Sequence, residues 1–161
     1  MAVADEFLEA NTRYAAQFSK GQLPMPPARK VAVLACMDAR LDPARALGLE
    51  EGDAHVIRNA GGRAADALRS LIISQQLLGT REVVVIHHTD CGMLTFTDAD
   101  LRVRLKQELG QDADFPFLSF SDLTRSVRDD VAVLRGSALL LPVPVRGFLY
   151  DVQTGRLEEV A

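Results

Sequence analysis

Three short, nearly continuous apolar runs constrain this chain more than any other feature. The first is Lys30-Val31-Ala32-Val33-Leu34-Ala35-Cys36, and residues 54–58 and 82–88 repeat its signature. Runs this short with little polar alternation are the pattern of strands covered on both faces, as in parallel sheets. Between the second and third, Ala64, Leu68, Leu71 and Ile72 recur at helical spacing with Ile73 and Leu77 on the other side. A well-buried helix is expected there, with Gly79 at its C′ position. Thr97 and Asp100 form a capping box for a helix to about residue 109, and Ser121 is expected to cap another with Leu123, Val127, Val131 and Leu134 on one stripe. Residues 147–152 and 156–160 read as two strands around a Thr-Gly turn. Strands that alternate with helices need crossover connections, so the fold class is α/β, a mostly parallel β-sheet flanked by helices.

Residues 3–18 add an N-terminal amphipathic helix, in which Phe7, Ala10, Tyr14 and Phe18 share a stripe and Gly21 with the prolines at 24, 26 and 27 ends the segment. The length of 161 residues suits one domain over 1–161, and no repeat or linker divides it. With 48% hydrophobic and 25% charged residues, the composition excludes disorder over most of the chain. Eighteen basic against twenty-two acidic residues give a net charge of −4, so no global positive field draws the chain to phosphate backbones, and nucleic acid is not an expected partner. Asp5 and Glu6 stand where a signal peptide carries basic residues, and no apolar run approaches the ~18 residues of a spanning helix. A cytoplasmic protein with no membrane partner is expected.

In parallel sheets, ligand sites gather beyond the carboxyl ends of the strands. Here the first run ends in Cys36-Met37-Asp38-Ala39-Arg40, the second in Arg58-Asn59-Ala60-Gly61-Gly62, and the third in His87-His88-Thr89-Asp90-Cys91-Gly92. Both cysteines of the chain therefore fall on one predicted rim, where a disulfide framework is not needed. If the chain stays extended after Cys36, the thiol, the Asp38 carboxylate and the Arg40 guanidinium share one face. His88 and Cys91 form an H-x-x-C unit whose spacing lets a turn aim both side chains at one metal. A buried small cysteine, a surface ion pair and a satisfied histidine are the ordinary readings of these residues taken singly; their convergence on one edge favours a metal site. Periodicity does not decide between His87 and His88, because adjacent strand residues face opposite ways.

In these three segments the chain resembles the β-class carbonic anhydrases, whose motifs match Cys36-Met37-Asp38-Ala39-Arg40, Val56-Ile57-Arg58-Asn59-Ala60-Gly61-Gly62 and His88-Thr89-Asp90-Cys91-Gly92-Met93 in the same order. The resemblance runs from about residue 24 through Gly147-Phe148-Leu149-Tyr150-Asp151, and it is to the family's small forms. It implies one Zn2+ per chain held by Cys36, His88 and Cys91, with Asp38 and Arg40 as the dyad beside the fourth position. Asp38 has two options there: to complete a closed zinc site as a further ligand, or to pair with Arg40 and leave that position to water. The implied reaction is reversible hydration of carbon dioxide to bicarbonate and a proton by a zinc-bound hydroxide. The family also implies a homodimer or higher homo-oligomer in which the N-terminal helix packs on a partner subunit, against the alternative that it packs on its own domain.

Two thiolates cancel the formal charge of zinc, so such a site acidifies water less than three imidazoles do unless nearby donors withdraw charge from sulfur. Amides around Gly92 and Gly61-Gly62 are candidates for that. His87 is a candidate proton carrier, set against the commoner solvent-facing histidine, and it stands where the family often has smaller residues. Ala39 replaces a frequent Ser, and the absence of Trp removes the Trp-containing regulatory pocket of some bacterial members. The 58–62 segment is read as turn chemistry in preference to an anion site, and His55 as structural. Phe115, Phe117 and Phe120 are read as core or as cover for a cleft. Carbonyl sulfide or a related small sulfur heterocumulene is the alternative substrate on this scaffold. A non-catalytic protein with a closed structural zinc site is the alternative outside catalysis.

Overall fold

The computed structural model describes residues 2–161. Five strands form one sheet in the order β2-β1-β3-β4-β5, where β1 is Val31–Cys36, β2 Ala54–Asn59, β3 Glu82–His88, β4 Val145–Tyr150 and β5 Leu157–Glu159. The first four run parallel and β5 returns antiparallel on β4. Parallel register brings Cys36 beside Asn59 and His88 beside Tyr150, so the chemistry-bearing ends lie along one edge.

Two long helices, α3 (Ala64–Gln76) and α5 (Leu123–Gly136), cover one face of the sheet. Ala64, Ala67 and Leu71 of α3 meet Val127, Val131 and Leu134 of α5 over Ala32, Leu34, Val83 and Val85. The opposite face carries Val33, Ala35 and Ile86 under Leu41, Leu47 and Leu49, a stretch that includes the short helix α2 (Pro43–Leu47). Asp42 caps α2 by accepting from the Arg45 amide. Helix α4 (Asp98–Leu109) starts with the expected Thr97–Asp100 capping box. No helix among the described residues is long and apolar enough to cross a membrane.

Several expectations change. Strand β2 is not covered on both faces: it is the edge strand, and Val56 is exposed. Helix α3 is buried only along Ala64, Ala67, Leu71, Ser74 and Gln75, whereas Ile73 and Leu77 face outward. It ends at Gln76 with Leu77 as C-cap, so Gly79, at φ 76°, lies one residue beyond C′. The cap of α5 is Asp122, not Ser121, because the Asp122 carboxylate reaches the Arg125 amide. The N-terminal helix α1 covers Val3–Ala15, shorter than 3–18, and no residue of it is buried. Packing on its own domain is therefore not what its apolar stripe does.

Candidate metal centre

Cys36 ends β1, His88 ends β3, and Cys91 returns to them through a turn in which Asp90 takes φ 53°. That turn is tied to the β4 end: the Thr89 amide donates to the Tyr150 carbonyl at 2.9 Å, and the Val152 amide to Thr89 Oγ1 at 3.0 Å. One ligand-type atom from each of Cys36, His88 and Cys91 lies within 4.8 Å of the other two, and all three residues are buried.

His88 Nδ1 sits 2.8 Å from the Thr89 carbonyl oxygen. That oxygen only accepts, so Nδ1 carries the proton and Nε2 presents its lone pair. Nε2 is buried without any hydrogen-bond partner. An orphaned buried nitrogen costs roughly 1–3 kcal/mol, and a divalent cation shared with two sulfurs would satisfy it. The donor set of two sulfurs and one imidazole fits such an ion.

The thiols point to the same conclusion. A hydrogen bond from the Cys91 thiol, aided by the amides of Asp38 and Gly61, brings Cys36 down to about 4 against the opposing effect of burial. Cys91 is pushed up because it donates to that sulfur and is itself buried. The Met93 amide favours the charged form of Cys91.

Asp38 borders this cluster, with Oδ2 at 3.8 Å from His88 Nε2. Both its oxygens are engaged by Arg40: Nε meets Oδ1 at 3.0 Å, Nη2 meets Oδ2 at 2.8 Å, and the Arg40 amide adds a bond to Oδ1 at 2.8 Å. These bonds hold the carboxyl well below the usual carboxylate range and raise the guanidinium in turn. Asp38 and Arg40 thus come together as a fork-to-fork pair beside the three ligand-type atoms.

Two positioning residues escaped the sequence reading. Arg40 Nη1 also reaches Asp90 Oδ2 at 2.8 Å, and Nη2 the Asp90 carbonyl at 2.9 Å. Arg58 donates from Nε to the Cys36 carbonyl at 2.9 Å and from Nη2 to the carbonyls of Asp38 and Leu41, each at 2.7 Å. Asp90 lies between His88 and Cys91, which was its available signal; Arg58 had none beyond the motif, because its targets are main-chain oxygens of another strand end.

The 58–62 segment is turn chemistry, as expected. Asn59 closes it by accepting from the Arg63 amide at 2.7 Å and donating to the Arg63 carbonyl at 3.0 Å. Gly61 and Gly62 take φ 80° and 65°, and a Cβ on Gly62 would meet Ala35 C and Cys36 N at 3.0 Å. The helix terminus that follows is occupied from within, since the Ala64 amide donates to Asp130 Oδ2 at 3.2 Å. His55 has the structural role expected, 2.7 Å from Ser74 Oγ.

His87 is not solvent-facing. It is fully buried on the α5 side, with Nδ1 2.7 Å from Ser126 Oγ and its ring stacked on Phe120 at 5.4 Å. Its ring presents no surface to solvent. Of the three phenylalanines considered, Phe120 packs with Leu94, Phe96 and Leu118 against Cys36, Cys91 and Met93, whereas Phe115 is exposed. The loop bearing Leu118, at φ 63°, is fastened by Asp98, which accepts from the amides of Phe117, Leu118 and Ser119 at 2.8, 3.2 and 3.0 Å.

Comparisons with known proteins converge on one family. A family model described as carbonic anhydrase matches residues 31–112. The chain is 49% identical to β-carbonic anhydrase 1 of Mycobacterium tuberculosis over 162 aligned residues, 99% of each chain. It superposes on the carbonic anhydrase of Streptococcus mutans with a TM-score of 0.94 at 49% identity, covering 100% of this chain and 99% of that one. It is also 34% identical to the carbon disulfide hydrolase of Saccharolobus solfataricus, over 96% of this chain and 87% of that protein.

Proposed function

This chain belongs to the β-carbonic anhydrase family, and we propose that Cys36, His88 and Cys91 hold one zinc ion with which it hydrates carbon dioxide reversibly to bicarbonate and a proton. Its activity is that of a carbonate dehydratase, a lyase. The observation that carries the metal assignment is the orphaned His88 Nε2 among two buried sulfurs. Zinc supplies Lewis acidity, which generates a nucleophile from water at neutral pH.

The chain's own residues do the rest. Arg40 engages both oxygens of Asp38, which keeps this carboxylate ionised and would keep it from closing the site as a further zinc ligand. Asp38 would accept a hydrogen bond from the attacking water, so that this oxygen's own lone pair faces carbon dioxide. Leu94, Phe96, Leu118 and Phe120 pack an apolar shell against Cys36, Cys91 and Met93. Their low polarity strengthens each charge interaction beside them.

Metal content measured together with hydration of carbon dioxide tests this reading. Zinc near one per chain with hydration favoured at alkaline pH is expected; an active protein free of metal would overturn it. A second reading, hydrolysis of carbon disulfide or a related small sulfur compound, is favoured by the 34% identity to a carbon disulfide hydrolase and is tested by sulfide release. We place the protein in the cytoplasm as a homodimer or higher homo-oligomer, in which the exposed stripe of α1 packs on a partner subunit.

A further inference from the structure

His87 is a fully buried titratable side chain at the catalytic edge that the proposed chemistry does not use. Its surroundings define its hydrogens. Nε2 lies 3.2 Å from the Gly62 carbonyl and 3.2 Å from Asp130 Oδ2, and both oxygens accept only. Nε2 must therefore carry a proton, whichever way Ser126 Oγ serves Nδ1 at 2.7 Å. Asp130 is in turn held by Arg63, Nε to Oδ2 at 2.9 Å and Nη2 to Oδ1 at 3.0 Å. Burial alone would raise the Asp130 carboxyl, but His87 and Arg63 outweigh that and lower it. Arg63 also donates to the Leu118 carbonyl at 2.5 Å and lies 5.2 Å from the Phe120 ring centre, with His87 stacked on that same ring.

This network touches the metal cluster through one short path. The Gly61-Gly62 turn lies against the Cys36 backbone, so closely that a Cβ at Gly62 would sit 3.0 Å from the Cys36 nitrogen. His87 holds the carbonyl of that turn from the other side. We propose that His87, backed by Asp130 and Arg63, is a positioning residue: it fixes the Gly61-Gly62 turn against the Cys36 backbone and so holds the Cys36 sulfur in place for the ion. The inference rests on the zinc reading above. A sulfur held less firmly grips the ion less tightly, so loss of the strut weakens zinc binding.

Two variants separate positioning from packing. In His87→Ala the Gly62 carbonyl loses its donor, whereas His87→Gln retains an amide N–H at that position. For His87→Ala, exchange of the Gly61 amide measured by NMR on the zinc-loaded protein should accelerate about tenfold or more. Zinc affinity, measured by competition with a chelator, should fall about tenfold or more. His87→Gln should return both readouts most of the way. A lowered melting temperature in His87→Ala with Gly61 exchange and zinc affinity both unmoved would overturn the proposal and leave His87 as packing. If the parent protein fails to hydrate carbon dioxide, the zinc reading fails, while Gly61 exchange still decides whether His87 fixes the turn.

Discussion

Arg40 grips both carboxylate oxygens of Asp38, at 2.8 and 3.0 Å, and with its remaining nitrogen crosses to Asp90 at 2.8 Å, between His88 and Cys91. One guanidinium thus joins the two strand ends that carry the ligand-type atoms. Its planar fork matches a carboxylate in a way that a lysine ammonium does not.

Removing that fork separates catalysis from metal binding. In Arg40→Ala the Asp38 carboxylate loses its orientation and becomes free to swing toward the metal, while Cys36, His88 and Cys91 remain. Turnover should fall roughly tenfold or more with zinc near one per chain, and Arg40→Lys should restore little of it. Metal analysis beside a carbon dioxide hydration assay checks this; full activity in Arg40→Ala would defeat the role given to the pair.

Substitution of a sulfur ligand has the opposite signature. Cys91→Ser replaces a soft anionic donor with a hydroxyl that stays protonated near neutral pH. Zinc per chain should fall well below one, and activity should fall in proportion. Prolonged dialysis of the parent protein against a chelator should abolish hydration, and added zinc should restore it.

The strand ends were legible because chemistry and patterning coincided: apolar runs stop at Cys36 and His88, and parallel register aligns such stops along one edge. What the pattern could not give was sidedness. Whether His87 or His88 faces the sulfurs depends on which face of β3 lies under α5, and only Ser126 and Asp130 contacting His87 resolve that. The edge position of β2 was hidden because Ala54 to Ile57 carry apolar atoms whether or not a neighbour covers them. Asp122 replaced Ser121 as a cap because both can accept from an amide and differ by a single residue of register. Asp98, which clamps the Leu118 loop, looked like an ordinary first-turn acid of α4.

Asp130 gives a pH dependence of stability with a definite sign. His87 and Arg63 depress its folded value below the ordinary carboxylate value of 3.8, although burial acts the other way. A depressed carboxyl contributes stability that is present above the unfolded value and is lost as pH falls through the folded one. Thermal unfolding from pH 7 down to about pH 2 should therefore show a steeper acid-side loss in the parent than in Asp130→Asn, with the variant less stable at pH 7. Parallel curves for the two proteins would show that Asp130 carries no such linkage.

The outer surface of α1 provides a test of assembly. Phe7 is 66% exposed, Leu8 69% and Tyr14 54%, and no residue of the helix is buried. An exposed apolar stripe of this kind marks an interaction surface, and burying one large side chain across an interface contributes about 1.5–3 kcal/mol. Because α1 contributes nothing to the core, Phe7→Asp with Tyr14→Asp should leave circular dichroism nearly unchanged. It should weaken association by roughly 100-fold or more, since two aromatic anchors would be replaced by charges that must be desolvated. Light scattering coupled to size exclusion at micromolar protein should show the parent as a dimer or larger species and the double variant shifted toward a single chain. A double variant that keeps the parent mass would place the interface elsewhere and leave the stripe on α1 without a partner.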